Sequence, residues 1–417
     1  MKKDLLLTFF TESIVLISGL IVYKFAANLV GKDAFSQYAL CRRTVSFFLP
    51  ALLMGLTVGM PRYIAYANHN SENKQPDYYF VAGISVLFIN VFFFTGLLNI
   101  FSGQFAFLFF GNAEYYNLIF PISLMLIGLV LHSACYSYYR GKLLMVRANI
   151  LQIINSGIIP ILVFMCQADI IRILSVTGLS WVITSAIALI LICKNLDWNK
   201  TLSLLPCGKE LLKYGLQRVP GDFGMAALIS LPAIMVAHMA GIKEAGYVAF
   251  GTTILNMTGA LFAPFGLVLL PKASQLIASN NVAQLKEYIL KLASFTFFLT
   301  AFGLIVFQVF ADFIIKVYLG ESFSELIVIA RIFMLGSLAT SFYVSMRSIL
   351  DAYYTKAVNT INIIIALLFF LISTGFMYVL NGTYIALVGG FVAALYVLGA
   401  LTFREIYKLM RLGVQTE

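Results

Sequence analysis

Apolar residues in this chain neither alternate with polar ones nor return at a helical spacing; they run on in long blocks. Twelve blocks stand out, at 5–30, 36–60, 80–100, 118–138, 150–167, 173–193, 216–240, 246–270, 291–310, 325–346, 359–380 and 384–403. A helix rises about 1.5 Å per residue, so about 20 apolar residues cross a hydrocarbon layer about 30 Å thick. The strands of a membrane barrel would alternate apolar and polar positions over about 10 residues. Lipid offers no partner for bare backbone N–H and C=O groups, which leaves the helix as the spanning element here. The pattern predicts an all-α polytopic membrane protein with twelve transmembrane helices.

Composition agrees with the pattern. The 417 residues are 61% hydrophobic and 11% charged, with a mean hydropathy of +0.93. A soluble domain carries about twice that charge, so a soluble enzyme, a disordered chain and a nucleic-acid binder are excluded. The net charge of +10 is explained by where the cations fall. With the N-terminus inside, nineteen of the 28 Lys and Arg lie in cytoplasmic segments and four in external ones. That is a positive-inside bias, and it places both termini in the cytoplasm. The first block holds Glu12 and Lys24 and lacks a small-x-small cleavage site, so it reads as a first membrane helix rather than a signal peptide. The five cysteines show no disulfide framework or metal-ligand spacing.

At an offset of 210 residues several landmarks coincide. Gly31 falls on Gly241, Pro61-Arg62 on Pro271-Lys272, Asn149 on Asn359 and Glu12 on Asp222; Gly111 lies one residue from register with Gly320. Each pair holds the same place in its half, which indicates a duplication. The organisation expected is a six-helix lobe over 1–193, a cytoplasmic linker over 194–213 and a second six-helix lobe over 214–417. Six spans is an even number, so the repeat is parallel, about an axis along the membrane normal, with a substrate path between the halves.

Ions inside a span cost about 2.5–3.5 kcal/mol each even on the mild insertion scale, so each needs a reason. Lys24, Arg42, Arg43 and Arg331 lie at similar depth, about six to eight residues from the outer ends of their spans. Two readings stand: a basic ring lining a cavity, or snorkelling to the outer interface. Arg218 and Asp222 are four apart and can pair on one helix face. Together with Glu12, its repeat equivalent, Asp222 is a candidate for binding a coupling proton or sodium ion; alternatively Asp222 only neutralises Arg218. Arg347 and Asp351 form a similar pair at an inner helix end, read as structural. His238 reads as a packing residue, and Pro50, Pro121, Pro160, Pro232 and Pro264 as helix-kinking residues. The chain contains no P-loop, no H-E-x-x-H, no G-x-S-x-G and no dinucleotide fingerprint. External segments are short, the longest being 101–117. A transporter is expected over an enzyme, with no cofactor.

Against this background four regions resemble one family. Tyr214-Gly215-Leu216-Gln217-Arg218-Val219-Pro220-Gly221-Asp222 resembles the Y-G-x-x-R-x-P-x-D opening of the seventh helix of polysaccharide flippases. Gly31-Lys32-Asp33-Ala34-Phe35-Ser36-Gln37-Tyr38 resembles their first external turn. Tyr139-Arg140-Gly141-Lys142, followed by Asn149 through Asn155, resembles the cytoplasmic turn into their fifth helix, with Asp351-Ala352-Tyr353 at the corresponding place of the second half. The family is the Wzx-type lipid-linked oligosaccharide flippases, in the superfamily that includes multidrug extruders and lipid II flippases. The resemblance implies alternating access and an undecaprenyl-pyrophosphate-linked oligosaccharide as substrate, moved from the cytoplasmic to the outer leaflet for O-antigen or capsule assembly. It implies a bacterial inner-membrane location and a polysaccharide polymerase with chain-length machinery as partners. Lys24, Arg42, Arg43, Arg331 and Arg218 are then the candidate substrate-binding residues, with Glu12 and Asp222 as ion-coupling or gating acids. The alternatives are an ion-coupled multidrug extruder, whose cationic substrates would want acids where cations outnumber them, and a membrane polymerase or ligase, which would need a larger external loop.

Overall fold

The computed structural model describes residues 2–69, 76–196, 204–262, 276, 282–354 and 357–412, and the regular structure among them is helical throughout. The chain divides into two compact units, residues 1–226 with 241–243, and residues 227–240 with 244–417. Among the described residues nine helices are long and apolar enough to cross a membrane, or up to eleven when each of two bent pairs is one span. The expected span 246–270 begins within a helix, Ile242–Ala260, then passes out of the described residues, where Pro264 and the repeat pair Pro271-Lys272 also lie.

In the first unit, α1 (Lys2–Phe25) runs through a π-turn (Ala26–Val30) to Gly31, whose φ of 99° turns the chain into α2 (Lys32–Leu53). Gly241, its expected counterpart, has the same φ of 99°. The block 36–60 is not one rod. Met54 and Gly55 take left-handed φ values of 48° and 69°, and α2 meets α3 (Leu56–His69) at a bend of 42°. The reason lies against the bend. A Cβ on Gly55 would stand 2.5 Å from the Gly215 carbonyl oxygen, and one on Gly215 would stand 2.2 Å from that of Met54. Two backbones meet there, and only glycine admits that approach.

Gly215 belongs to α10 (Leu204–Leu216), which folds out of the end of the predicted linker and packs on α3 and on α4 (Pro76–Ile100). Cys207, Leu211 and Gly215 repeat every fourth residue and face inward, while Lys209 and Lys213 stay exposed. That is the amphipathic pattern of a helix lying on a surface. The segment 101–117 is also ordered. It forms α5 (Ser102–Phe110) and a 3-10 turn, Ala113–Leu118, capped by the Asn112 side chain accepting from the Glu114 N–H. Phe109 of α5 packs on Phe48 of α2 at 4.7 Å between ring centroids.

The centre of the first unit is the packing of α6 (Ile119–Gly141) on α9 (Ile170–Cys193). Lipid supplies no hydrophobic drive between helices, so close backbone approach matters, and small residues permit it. Here Gly178 lies under the α6 backbone, where an added Cβ would fall 2.7 Å from the Met125 nitrogen. Gly128 faces it, where a Cβ would fall 2.6 Å from that of Trp181. The fifth block is α7 (Met145–Gln152), a π-turn (Ile153–Ile158) and α8 (Ile159–Cys166).

Helix α11 (Val219–Met239) starts in the first unit and continues in the second. There follow α12 (Ile242–Ala260), α13 (Val282–Leu319), α14 (Ser324–Leu335) and α15 (Ser337–Tyr353), the last two bent by 43° at Gly336, then α16 (Val358–Asn381) and α17 (Tyr384–Leu412). Leu285 and Ile289 of α13, Met346, Ile349 and Leu350 of α15, and Ile406 and Leu409 of α17 form an apolar core in this unit. The predicted span 291–310 is only the middle of the 38-residue α13, so Asp312, outside that boundary, lies on a candidate span.

Candidate functional site

Two neighbouring arginines in α2 open the site. Consecutive helical residues point about 100° apart, so Arg42 and Arg43 enter different surroundings. Arg43 is 8% exposed and lies within electrostatic reach of Tyr23 of α1. Tyr23 packs edge-on against Phe35 at 5.9 Å and Tyr38 at 5.4 Å, and Tyr38 against Phe164 of α8 at 5.0 Å. Arg42 turns toward α9, where its guanidinium carbon lies 5.8 Å from the Trp181 ring centroid. That is within cation–π range. Lys24 is exposed on α1.

Trp181 is 2% exposed and has a fixed place for a reason written in the fifth block. The π-turn shifts the ladder by one residue, so the Ile159 N–H bonds to the Ile154 carbonyl rather than to that of Asn155. Five residues beyond Asn155 stands Pro160, which has no N–H to give. The Asn155 carbonyl is thus left without a helical partner, and the Trp181 indole N–H fills the gap. The Asn155 side chain, 1% exposed, is bonded on all sides. Its amide donates to Ser185 Oγ at 3.1 Å and to His132 Nδ1 at 2.9 Å, and its oxygen accepts from the Thr184 hydroxyl. His132 Nε2 in turn meets Gln152 Oε1 at 2.8 Å, an arrangement that calls for the Nε2–H tautomer. Buried polar groups of this kind are stable only when all are satisfied, and Asn155, with His132 at its side, is.

The contacts continue along α6 from His132 to Arg140. Tyr136 stacks on His132 at 5.7 Å, Arg140 lies over Tyr136 at 5.6 Å, and Glu12 is within electrostatic reach of Arg140. Arg218 sits in the turn before α11, 6.0 Å from the Tyr214 ring, which Arg62 also covers at 4.8 Å. Tyr214 stands edge-on to Tyr63, Tyr63 stacks on Tyr79, and the Tyr79 hydroxyl donates to Glu210 at 2.6 Å. Asp222 gives its backbone N–H to the Arg218 carbonyl at 3.1 Å. The Y-G-x-x-R stretch therefore has a structural content: Tyr214 carries two guanidinium groups and Gly215 admits the α2–α3 bend.

In the second unit Arg331 of α14 forms an ion pair of 2.6 Å with Asp312 of α13, and Gln308 donates to the Arg331 carbonyl. Its charge is therefore compensated locally by an acid that the shorter predicted span had left out. Asp351 accepts from Asn359 at 2.7 Å, and the same amide reaches the Arg347 carbonyl at 2.9 Å, which ties that pair to the start of α16. His238 is exposed on α11. Among the described residues no group of three or more His, Cys, Asp or Glu is placed to hold a metal. Of the predicted residues the structure sets Arg42 over Trp181, buries Arg43 within reach of Tyr23, and gives Arg331 an acidic partner. Sequence reading passed over His132, Trp181 and Asp312. The available signal was Pro160, five residues after Asn155, which orphans a carbonyl inside a span.

Comparison with known proteins adds the following. A family model described as "Polysaccharide biosynthesis protein" matches residues 1–277. No curated protein matches at a significant level. A multidrug resistance transporter of the MATE family and MOP superfamily, in an inward-facing conformation, aligns with a TM-score of 0.77 at 17% identity, covering 95% of each chain. The lipid II flippase MurJ, in an inward closed conformation, aligns with a TM-score of 0.74 at 14% identity, over 98% of this chain and 88% of its own. An outward-facing structure of a MATE multidrug transporter aligns at 0.64 and 17% identity, over 98% and 96%.

Proposed function

The chain belongs to the polysaccharide biosynthesis protein family, and from that premise we propose that it is a flippase for undecaprenyl-pyrophosphate-linked oligosaccharide repeat units. It moves them from the cytoplasmic to the outer leaflet of a bacterial inner membrane, by alternating access, for O-antigen or capsule assembly. Polymerase and chain-length machinery act on the delivered units. The observation that carries this reading is the pair Arg42 and Arg43 on α2, one guanidinium over Trp181 and the other buried within reach of Tyr23. A guanidinium is planar, always charged and bidentate, which suits the oxygens of a phosphate. In this reading Arg42, Arg43 and Lys24 meet the pyrophosphate or acidic sugars, and Arg331 and Arg218 guide the head group. Glu12 and Asp222 carry the coupling proton or sodium, or gate the path. The shared fold with a protein named as a lipid II flippase supports the choice of substrate class.

A multidrug extruder has the same fold, but its cationic substrates would meet Arg42 and Arg43 as like charges. The two readings separate in one experiment. Replacing Arg42 and Arg43 together by Gln abolishes polysaccharide export while the protein stays inserted at normal level, as read by surface polysaccharide and membrane fractionation. Normal export by the correctly inserted double variant would overturn the proposal. Drug resistance that depends on the chain, with unchanged lipid-linked sugar, would favour the extruder.

A further inference from the structure

Resting on the reading that Arg42 meets the substrate's pyrophosphate, we propose that Trp181 is the positioning residue of that cation. The Asn155–His132 network is then the mount that fixes it. An arginine side chain has several rotatable bonds and much conformational freedom to lose on binding. Arg42 is only half-buried, so packing alone does not set its direction. The Trp181 ring face does, at 5.8 Å from the guanidinium carbon. The ring is held in place: it is buried, its indole N–H is bonded to the Asn155 carbonyl, and its Cβ lies against Gly128. Asn155 is locked by His132, Thr184 and Ser185. Rigid geometry thus passes from the π-turn to the indole and from the indole to the cation. A guanidinium held over a ring face by its charge keeps N–H donors with which to bond an anion. A lysine at position 42 would keep the charge but not the planar, bidentate fork.

The chain contains two tryptophans, Trp181 and Trp198, so a Trp198→Phe protein reports from Trp181 alone. The full chain is placed in nanodiscs and titrated with inorganic pyrophosphate, following indole emission and, in parallel, binding by equilibrium dialysis. A saturable change in Trp181 emission is expected, with the same midpoint as binding. It is expected to vanish in Arg42→Gln and to persist in Lys291→Gln, an exposed cation of α13 with no place in the proposed site. Arg42→Lys and Trp181→Leu each weaken pyrophosphate binding about three- to tenfold, the range of one cation–π contact. Binding without any emission change, or an emission change that survives Arg42→Gln, overturns the positioning role and leaves the substrate reading intact. No binding of pyrophosphate by either measurement overturns both. The emission titration alters nothing at Trp181, so it decides the matter even where Trp181→Leu fails to fold.

Discussion

A single missing hydrogen explains much of the first unit's interior. Pro160 has no N–H, the π-turn moves the Ile159 N–H to Ile154, and the orphaned Asn155 carbonyl recruits an indole from another helix. Leaving a buried carbonyl unpaired costs about 1–3 kcal/mol, so Trp181→Phe should lose about that much stability in thermal unfolding of the purified protein. Pro160→Ala supplies an N–H five residues beyond Asn155, in register with the π-turn. It should recover part of the Trp181→Phe loss, and a double-mutant cycle measures the coupling. Strictly additive effects would mean that the Asn155 carbonyl does not depend on either donor. The sequence made Asn155 visible as part of a turn and Pro160 as a kink, but not their connection. Trp181 and His132 lie on other helices, and no spacing along one chain segment announces a contact across three of them.

Helices in this chain are specified by continuous apolar blocks, and so their existence was legible while their breaks were not. Hydropathy does not register a bend, and Met54-Gly55 sits inside an unbroken apolar run; what bends it is the Gly215 backbone, some 160 residues away in the sequence. The stretch over 194–213 read as a linker because Lys and polar residues interrupt it. Its later part is an amphipathic helix whose apolar positions recur every fourth residue, a pattern masked by the charges on its outer face. The glycines that set helix contacts offer a direct test. Gly178→Ala places a Cβ 2.7 Å from the Met125 nitrogen and should cost about 1–3 kcal/mol by overpacking. Gly19→Ala, with nothing within 4 Å of its added Cβ, should be neutral or stabilise α1 by up to about 1 kcal/mol. Equal midpoints of thermal unfolding for the two variants would contradict the close approach of α6 and α9. In the second unit the boundary error at 310 hid Asp312. An unpaired ion in a span costs about 2.5–3.5 kcal/mol, so Asp312→Asn should lower the level of inserted protein more than Asp312→Asn combined with Arg331→Gln. The reverse order would mean that the ion pair is incidental.

For the whole molecule, the cations that composition and span counting singled out divide into two kinds. Arg42 lies over Trp181 and Arg43 is buried within reach of Tyr23, whereas Arg331 is matched to an acid. In the proposed mechanism Arg42, Arg43 and Lys24 meet the substrate while Arg331, balanced by Asp312, only guides it, so export should be more sensitive to Arg42 than to Arg331. The measurement that bears most directly on the flippase assignment is the leaflet location and repeat number of lipid-linked oligosaccharide in a strain lacking this chain. If the chain is the flippase, complete single repeat units accumulate on the cytoplasmic leaflet. Single repeats displayed on the outer leaflet but not polymerised would contradict it and point to a polymerase. Lipid-linked sugar unchanged in amount and place would mean that a different substrate is transported.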